Sequence, residues 1–353
     1  MPTVVSELHD ILREAVELAA SDVHMHSGTR LRMRIHGVLT VAGREPLSSP
    51  QVKEMLMPLL TTDQEHELEK KGHVDFAITV DDLDRFRVNV YKQQRGLDAV
   101  FRVIMRLPPT LAELGIPTHL ERLAGISNGL VLVTGPAGSG KSSTIAAFLH
   151  RVNSQDRGHI LTIEDPVEFV HKSKGCIINQ RSVGPHTHSF ADALRAALRQ
   201  DPDVILVGEL RDLESIDMAL TASETGHLVF ATLHTRNTID SIDRLVNAFP
   251  PEGQRQIRTK VAEALRAVIT QQLIPRKDGT GRVAAVEILL PNSAIRGLIR
   301  ENKLFHIRSI LQMGAGEGMC LMEQSLQDLV QRNLISAEEA KKRWPHGSTK
   351  MGM

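Results

Sequence analysis

Gly135-Pro136-Ala137-Gly138-Ser139-Gly140-Lys141-Ser142 fills every fixed position of a phosphate-binding loop: a glycine, four residues, then Gly-Lys-Ser. Glycines let the backbone fold round phosphates with its N–H groups turned inward, at the positive end of the helix that follows. Lys141 sets a cation on the β- and γ-phosphates, Ser142 offers a hydroxyl to Mg2+, and Ser143 continues the nucleotide-binding set into the helix. An apolar run at 130–133 leads into the loop and a helix-compatible stretch at 143–149 leads out, so the expected context is strand, loop, helix. That chemistry is the binding of a nucleoside triphosphate, ATP with Mg2+.

Two acidic segments follow. Asp203-Val-Ile-Leu-Val-Gly208-Glu209 is an apolar run ending in a carboxylate, where Glu209 would reach Mg2+ directly or through water. Glu164-Asp165-Pro166-Val167-Glu168 closes another apolar run. Hydrolysis needs a base that orients and polarises water for in-line attack on the γ-phosphate. Three carboxylates in this segment could supply it, or some could cap a turn, and the residues alone do not choose. His227 and His234 flank the run 228–233. A histidine at a strand end can donate to a γ-phosphate and sense its loss, although a lone histidine is more often structural. Arg85, Arg87, Arg95 and Arg102, far upstream, read by themselves as ordinary strand-surface charges.

These residues need elements to position them. Val4, Leu8, Ile11, Leu12, Ala15 and Ala19 recur at helical spacing and predict a helix over 4–19. Strand-like runs at 31–35, 38–41, 76–80, 86–91 and 99–104, with a charged helical segment at 51–71, make residues 1–107 a small α+β domain. Leu107-Pro108-Pro109-Thr110 breaks the pattern and opens a linker over 108–117. From 118 to 293 apolar strands alternate with helices, as a mostly parallel sheet requires. The predicted strands are 130–134, 160–163, 204–207, 228–233 and 283–289, and the helices include 190–199 and 213–223. Residues 294–345 read as wholly helical, with Trp344-Pro345 closing the last helix, and 346–353 as a disordered tail. The fold class is α/β.

Composition narrows the function. A chain of 353 residues has room for about two domains with real cores. Lys plus Arg (42) equal Asp plus Glu (42), which argues against a generally basic nucleic-acid binder. Aromatic residues make up 3%, so stacking platforms for single strands are scarce. Cys176 and Cys320 form no C-x-x-C pair, which excludes a disulfide framework and a cysteine zinc site. No apolar run approaches the ~18 residues of a membrane span, and Glu7 and Asp10 stand where a signal peptide is basic. A soluble, cytoplasmic protein without an integral membrane segment is expected.

Taken together these segments resemble the secretion-superfamily hexameric ATPases, and most closely the PilT-type retraction ATPases of type IV pili. The resemblance runs from about residue 5 to 345. It covers Ala20-Ser21-Asp22-Val23-His24, Arg85-Phe86-Arg87-Val88-Asn89 with Arg95-Gly96, the phosphate loop, the acidic box from Ile163 to Glu168, the Walker B segment from Asp201 to Glu209, and the histidine box from Thr225 to His234. Ala294-Ile295-Arg296-Gly297-Leu298-Ile299-Arg300-Glu301 is similar to the family's C-terminal retraction motif. The resemblance implies a PAS-like small domain and a RecA-like ATPase core with a helical C-terminal region. It assigns water activation to Glu168, with Glu164 and Asp165 supporting, Mg2+ to Glu209, and γ-phosphate sensing to His234 with His227 close by. Arg85 and Arg87, with Arg95 and Arg102, would complete the site of a neighbouring subunit. The implied partners are five further copies in a homohexamer, a PilC-like platform protein of the inner membrane, and a PilU-like retraction paralogue. The implied location is peripheral, at the inner-membrane base of the pilus machine.

Two positions depart from the family pattern. His36 stands where an acidic residue is usual in the Arg34–Gly37 turn, and Gly297 where the retraction motif often has Asn. The four-cysteine metal segment and longer N-terminal region of assembly motors are missing, which favours retraction over assembly. An accessory retraction paralogue and an assembly ATPase remain as alternatives. A RecA-like translocase on nucleic acid leaves the small-domain and 294–301 motifs unexplained, and a small-molecule kinase would be active as a monomer and need no arginines from a neighbouring subunit.

Overall fold

The computed structural model describes residues 6–43, 45–80, 83, 85–104, 108–155 and 157–345. Val4 of the predicted first helix, Leu107 of the linker and the 346–353 tail lie outside the described residues. By contact the chain divides into two compact units, Met1–Leu107 with Gly279–Gly281, and Pro108–Asp278 with Arg282–Met353.

The first unit is α+β. Its elements are α1 (Ser6–Glu17), β1 (Ala20–His26), β2 (Arg32–Ile35), β3 (Val38–Val41), α2 (Ser49–Leu56), α3 (Thr62–Lys71), β4 (His73–Thr79), β5 (Arg85–Gln93) and β6 (Gly96–Ile104). The strands form one antiparallel sheet in the order β3-β2-β1-β6-β5-β4. Alternation sets its two faces. Phe86, Val88 and Val90 of β5 bury themselves with Leu8, Ile11 and Leu12 of α1. The residues between them, Arg85, Arg87, Asn89 and Tyr91, stay partly exposed.

Two corrections arise here. The predicted helical segment 51–71 is two helices, because Pro58 sits in a 3-10 turn after α2 and Thr61 starts α3 with a capping box on Gln64. β1 was not predicted as a strand, since one of its faces carries the polar residues Asp22, His24 and His26 and the run shows little apolar alternation.

The second unit is built on a seven-stranded sheet. Its strands are β7 (Gly129–Thr134), β8 (His159–Glu164), β9 (Ile177–Ser182), β10 (Val204–Val207), β11 (Leu228–Leu233), β12 (Leu265–Pro275) and β13 (Arg282–Leu289). The order is β13-β12-β7-β11-β10-β8-β9, parallel throughout except for the antiparallel β12–β13 pair. The helices are α4 (Lys141–Gln155), α5 (Phe190–Ala197), α6 (Leu213–Glu224), α7 (Thr238–Asn247), α8 (Gln254–Ala264), α9 (Ser293–Arg300), α10 (Ile307–Met313), α11 (Met322–Gln331) and α12 (Ala337–Arg343). Both faces of the sheet are covered, which is why its strands read as continuous apolar runs. Leu130 and Leu132 of β7 pack with α5 to α8, and Val131 and Val133 pack with Phe148 and Val152 of α4. Strands β9 and β12 escaped prediction. The C-terminal region is helical but not wholly so: Cys320 pairs with Ile288 in an isolated bridge, and 3-10 turns interrupt the helices.

Candidate active site

The glycine loop leaves the carboxyl end of β7 and enters α4. Gly135, Gly138 and Gly140 all have positive φ, the conformation glycine adopts without strain. A Cβ added at Gly135 would lie 2.3 Å from the carbonyl oxygen of Gln271, so the first glycine is also demanded by close approach of β12. Lys141 is 8% exposed and turns back over the loop. Its Nζ donates to the carbonyl oxygens of Gly135 (2.9 Å) and Pro136 (3.1 Å). Burial lowers its pKa, and the carboxylates of Glu209 and Glu168 oppose that shift.

Parallel strands put their carboxyl ends on one side of a sheet, and there the predicted residues gather. His234, just past β11, places Nδ1 3.4 Å from Nζ of Lys141 and Nε2 3.5 Å from a carboxylate oxygen of Glu209, just past β10. The Nδ1 side of the ring can accept from Lys141, and the Nε2 side is turned toward the Glu209 carboxylate. Arg211 Nε donates to the same Glu209 oxygen at 2.9 Å, and its Nη1 lies 3.6 Å from Asp165. A chain of alternating charge therefore runs from the loop lysine to the acidic segment.

Glu164 ends β8. Its carboxylate accepts from Thr162 Oγ1 (2.8 Å), Gln180 Nε2 (3.3 Å) and the backbone N–H of Glu168 (3.4 Å). Burial outweighs these bonds and raises its pKa to about 7. Ser142, Glu164 and His171 line a cavity of about 40 Å3 beside α4, and burial pushes the His171 pKa down to about 4.

Sequence reasoning missed Gln180, Arg211 and Gln271. The first holds the acidic segment from β9, accepting from the N–H of His171 (2.8 Å) and donating to the carbonyl of Phe169 (2.8 Å). Both Gln180 and Gln271 lie on strands that the apolar pattern did not disclose.

Three predicted groups need relocation or redefinition. His227 precedes β11 at its amino end, where its carbonyl accepts from the N–H of Gly129 and its Nδ1 stands 3.0 Å from the carbonyl of Ala222. Six strand residues separate it from His234, about 20 Å at ~3.3 Å per residue, so it is not close to the loop of its own chain. Among the arginines, Arg85 and Arg87 share a face of β5 and Arg102 stands opposite Arg87, whereas Arg95 lies in the β5–β6 turn at the other end of the hairpin. Arg102 pairs with Asp22 at 3.0 Å. In the 294–301 motif, Ile295 and Ile299 are fully buried, and Leu298 packs against the same core. Arg296 donates to the carbonyls of Ala262, Glu263 (3.0 Å) and Leu265 (3.2 Å), capping the end of α8. Ala294, Arg300 and Glu301 are exposed, and Gly297 has open space where a side chain would fit.

The donor set suits a magnesium nucleotide. The loop's curvature forms a cradle, Ser139 Oγ is buried with no hydrogen-bond partner among the described residues, and Ser142 and Glu209 bring the oxygen ligands that Mg2+ takes. A glycine loop at the end of a central parallel strand, a lysine inside it and carboxylates on the neighbouring strand ends define a P-loop ATPase with a RecA-like core. The type II/IV secretion system protein family matches residues 2–342. The type IV pilus retraction ATPase PilT of Pseudomonas aeruginosa is 45% identical over 337 residues, 96% of this chain and 98% of that protein. The type IV pilus ATPase PilU of the same organism is 36% identical over 95% of this chain and 87% of its own length. A crystal structure of the pilus retraction motor PilT with bound ADP superposes with a TM-score of 0.86, covering 96% of this chain and 97% of that one at 45% identity. The chain belongs to the type II/IV secretion system protein family. Among the described residues no helix is long and apolar enough to cross a membrane.

Proposed function

We propose that this chain is the ATP-driven motor that retracts a type IV pilus, working as a homohexameric ring. The observation that carries the reading is the juxtaposition of Lys141, His234 and Glu209 at the mouth of the loop, in a chain that resembles PilT over nearly its whole length. The loop N–H groups and Lys141 bind the triphosphate. Ser142 and Glu209 would hold Mg2+, which when bound would neutralise charge on the triphosphate. Glu168 takes the proton of the attacking water. Glu164 accepts from its backbone N–H, which supports a positioning role for Glu164 beside Glu168 as the base.

His234 touches the γ-phosphate end of the site and relays its loss to Glu209 and Lys141. Arg85, Arg87 and Arg102 complete the site of a neighbouring subunit, as the charge of phosphoryl transfer favours. Hydrolysis then shifts the two units of each subunit, and the ring acts on a PilC-like platform protein at the cytoplasmic face of the inner membrane. The 36% identity to PilU supports a second reading, an accessory motor that works beside a main one.

The test is a count of surface pili on cells lacking this chain. Excess pili that never retract support the main motor. Bald cells mean assembly, and normal pili mean an accessory role or another machine.

A further inference from the structure

The strongest unassigned feature near the loop is a buried amide. Gln271 lies on β12 and is 1% exposed, an unusual place for a polar side chain unless all its bonds are made. Both ends of its amide are bonded, to the loop and to the helix the loop enters. Its Nε2 donates to the carbonyl of Ser139 at 2.6 Å, and its Oε1 accepts from Thr144 Oγ1 at 2.9 Å. Its backbone carbonyl meets Gly135, and its Nε2 would stand 3.0 Å from a Cβ at Gly140. One residue therefore touches the loop at its first glycine, at its fifth residue, at its last glycine, and at the first turn of α4. The amide orientation follows from the network, because the Ser139 carbonyl needs a donor and the reverse orientation would set oxygen against oxygen.

We propose that Gln271 is a positioning residue for nucleotide binding, a strut from the neighbouring strand that fixes the curvature of the phosphate loop through Ser139 and Thr144. The physical reason is preorganisation. A loop of three positive-φ glycines has many conformations, and phosphate N–H donors bind well only if one is held before the ligand arrives. Ser139 and Gly140 immediately precede Lys141, so anchoring the Ser139 carbonyl fixes where the lysine enters the site. β12 is also the strand that pairs in parallel with β7, Thr270 opposite Thr134, and the two hydroxyls stand 2.7 Å apart. That pairing keeps the strut in register with the strand from which the loop departs.

The inference rests on the reading of this loop as the nucleotide site. The experiment measures binding of a fluorescent ADP analogue to the full chain, as wild type, Lys141→Ala, Gln271→Leu and Gln271→Glu. Gln271→Leu keeps the volume but leaves the Ser139 carbonyl without a donor, and affinity should fall roughly ten- to a hundredfold.

Gln271→Glu gives a readout that mere packing would not move. Its buried acid, when protonated, donates O–H to Ser139 and should bind within about threefold of wild type near pH 6. As pH rises it loses that proton and sets a charge beside the phosphates, so its affinity should drop relative to wild type by about a hundredfold or more near pH 9. Wild-type affinity from Gln271→Leu, or a Gln271→Glu curve parallel to wild type across the range, overturns the proposal. Loss of binding in Lys141→Ala with both Gln271 variants unimpaired overturns it while sparing the site. A wild-type chain that does not bind the analogue overturns the nucleotide reading itself.

Discussion

Replacing Glu164 with glutamine should make the second unit more tolerant of alkaline pH, and the structure sets the size of the gain. Burial lifts the Glu164 carboxyl from 4.5 to about 7 although three hydrogen bonds pull the other way. A group whose pKa is higher in the folded chain contributes fully below its unfolded value and loses that contribution as pH climbs through the folded value. The window here runs from 4.5 to about 7. At about 1.4 kcal/mol for each pH unit, the loss on the alkaline side comes to about 3 kcal/mol. Glutamine has the same shape, accepts from Thr162 through its oxygen and cannot charge. His171, on the same cavity, has the opposite sense. Burial holds it at about 4 against 6.5, so its contribution is complete above the upper value and lost as pH falls toward the lower. The two slopes oppose each other in wild type, and the difference between wild type and Glu164→Gln isolates the carboxyl. Trp344 packs on a core cluster of the second unit and is the chain's single tryptophan, so its fluorescence reports unfolding there. Denaturant titrations of nucleotide-free protein from about pH 5 to about pH 8 should show the variant gaining on wild type by about 2 to 3 kcal/mol as pH rises. Parallel curves would refute the buried-carboxyl reasoning.

Other changes probe the roles proposed for the site. Glu168→Gln should bind ATP yet stall turnover by at least about a hundredfold, measured as phosphate release. A Glu164→Gln chain that stalls while Glu168→Gln turns over would transfer the base to Glu164. Arg87→Ala and Lys141→Ala chains should each be inactive alone and regain part of their ATPase activity when mixed, and no recovery at any ratio would count against a site shared between subunits. Arg296→Ala leaves carbonyls of Ala262, Glu263 and Leu265 without their donor and should cost about 2 to 3 kcal/mol in denaturant titration. Arg296→Lys should restore only part of that, since an ammonium lacks the guanidinium's fork.

Strands β10 and β11 were legible to the residue because both faces are buried, which leaves four apolar residues in a row in each, Val204–Val207 and Leu228–Ala231. β12 was not legible. Arg266, Gln271 and Gln272 interrupt its apolar pattern, and the structure shows why two of those breaks exist: Gln271 fills a buried site against the loop, and Arg266 reaches back to the carbonyl of Ala264 and to Asn128. β1 hid for a related reason. Asp22 is polar yet buried, paired with Arg102 and Arg34, so a strand that borders the core looks polar on paper. Polarity at a buried position is where apolar periodicity fails, and here it marks residues with specific partners.

The phosphate loop, Glu164, Glu209 and His234 could be read from sequence because each sits at the carboxyl end of a legible strand. His227 and His234 look symmetric on paper, flanking one strand at either end, and a motif that spans both treats them alike. A parallel sheet does not. β7, β8, β10 and β11 all run the same way, so the loop and both carboxylates collect at one edge, and only the histidine that follows its strand joins them. The one that precedes it, His227, is held instead by the backbone where α6 turns into β11. Strand direction alone separates the two histidines, and it follows from the predicted strands together with the loop's place after β7.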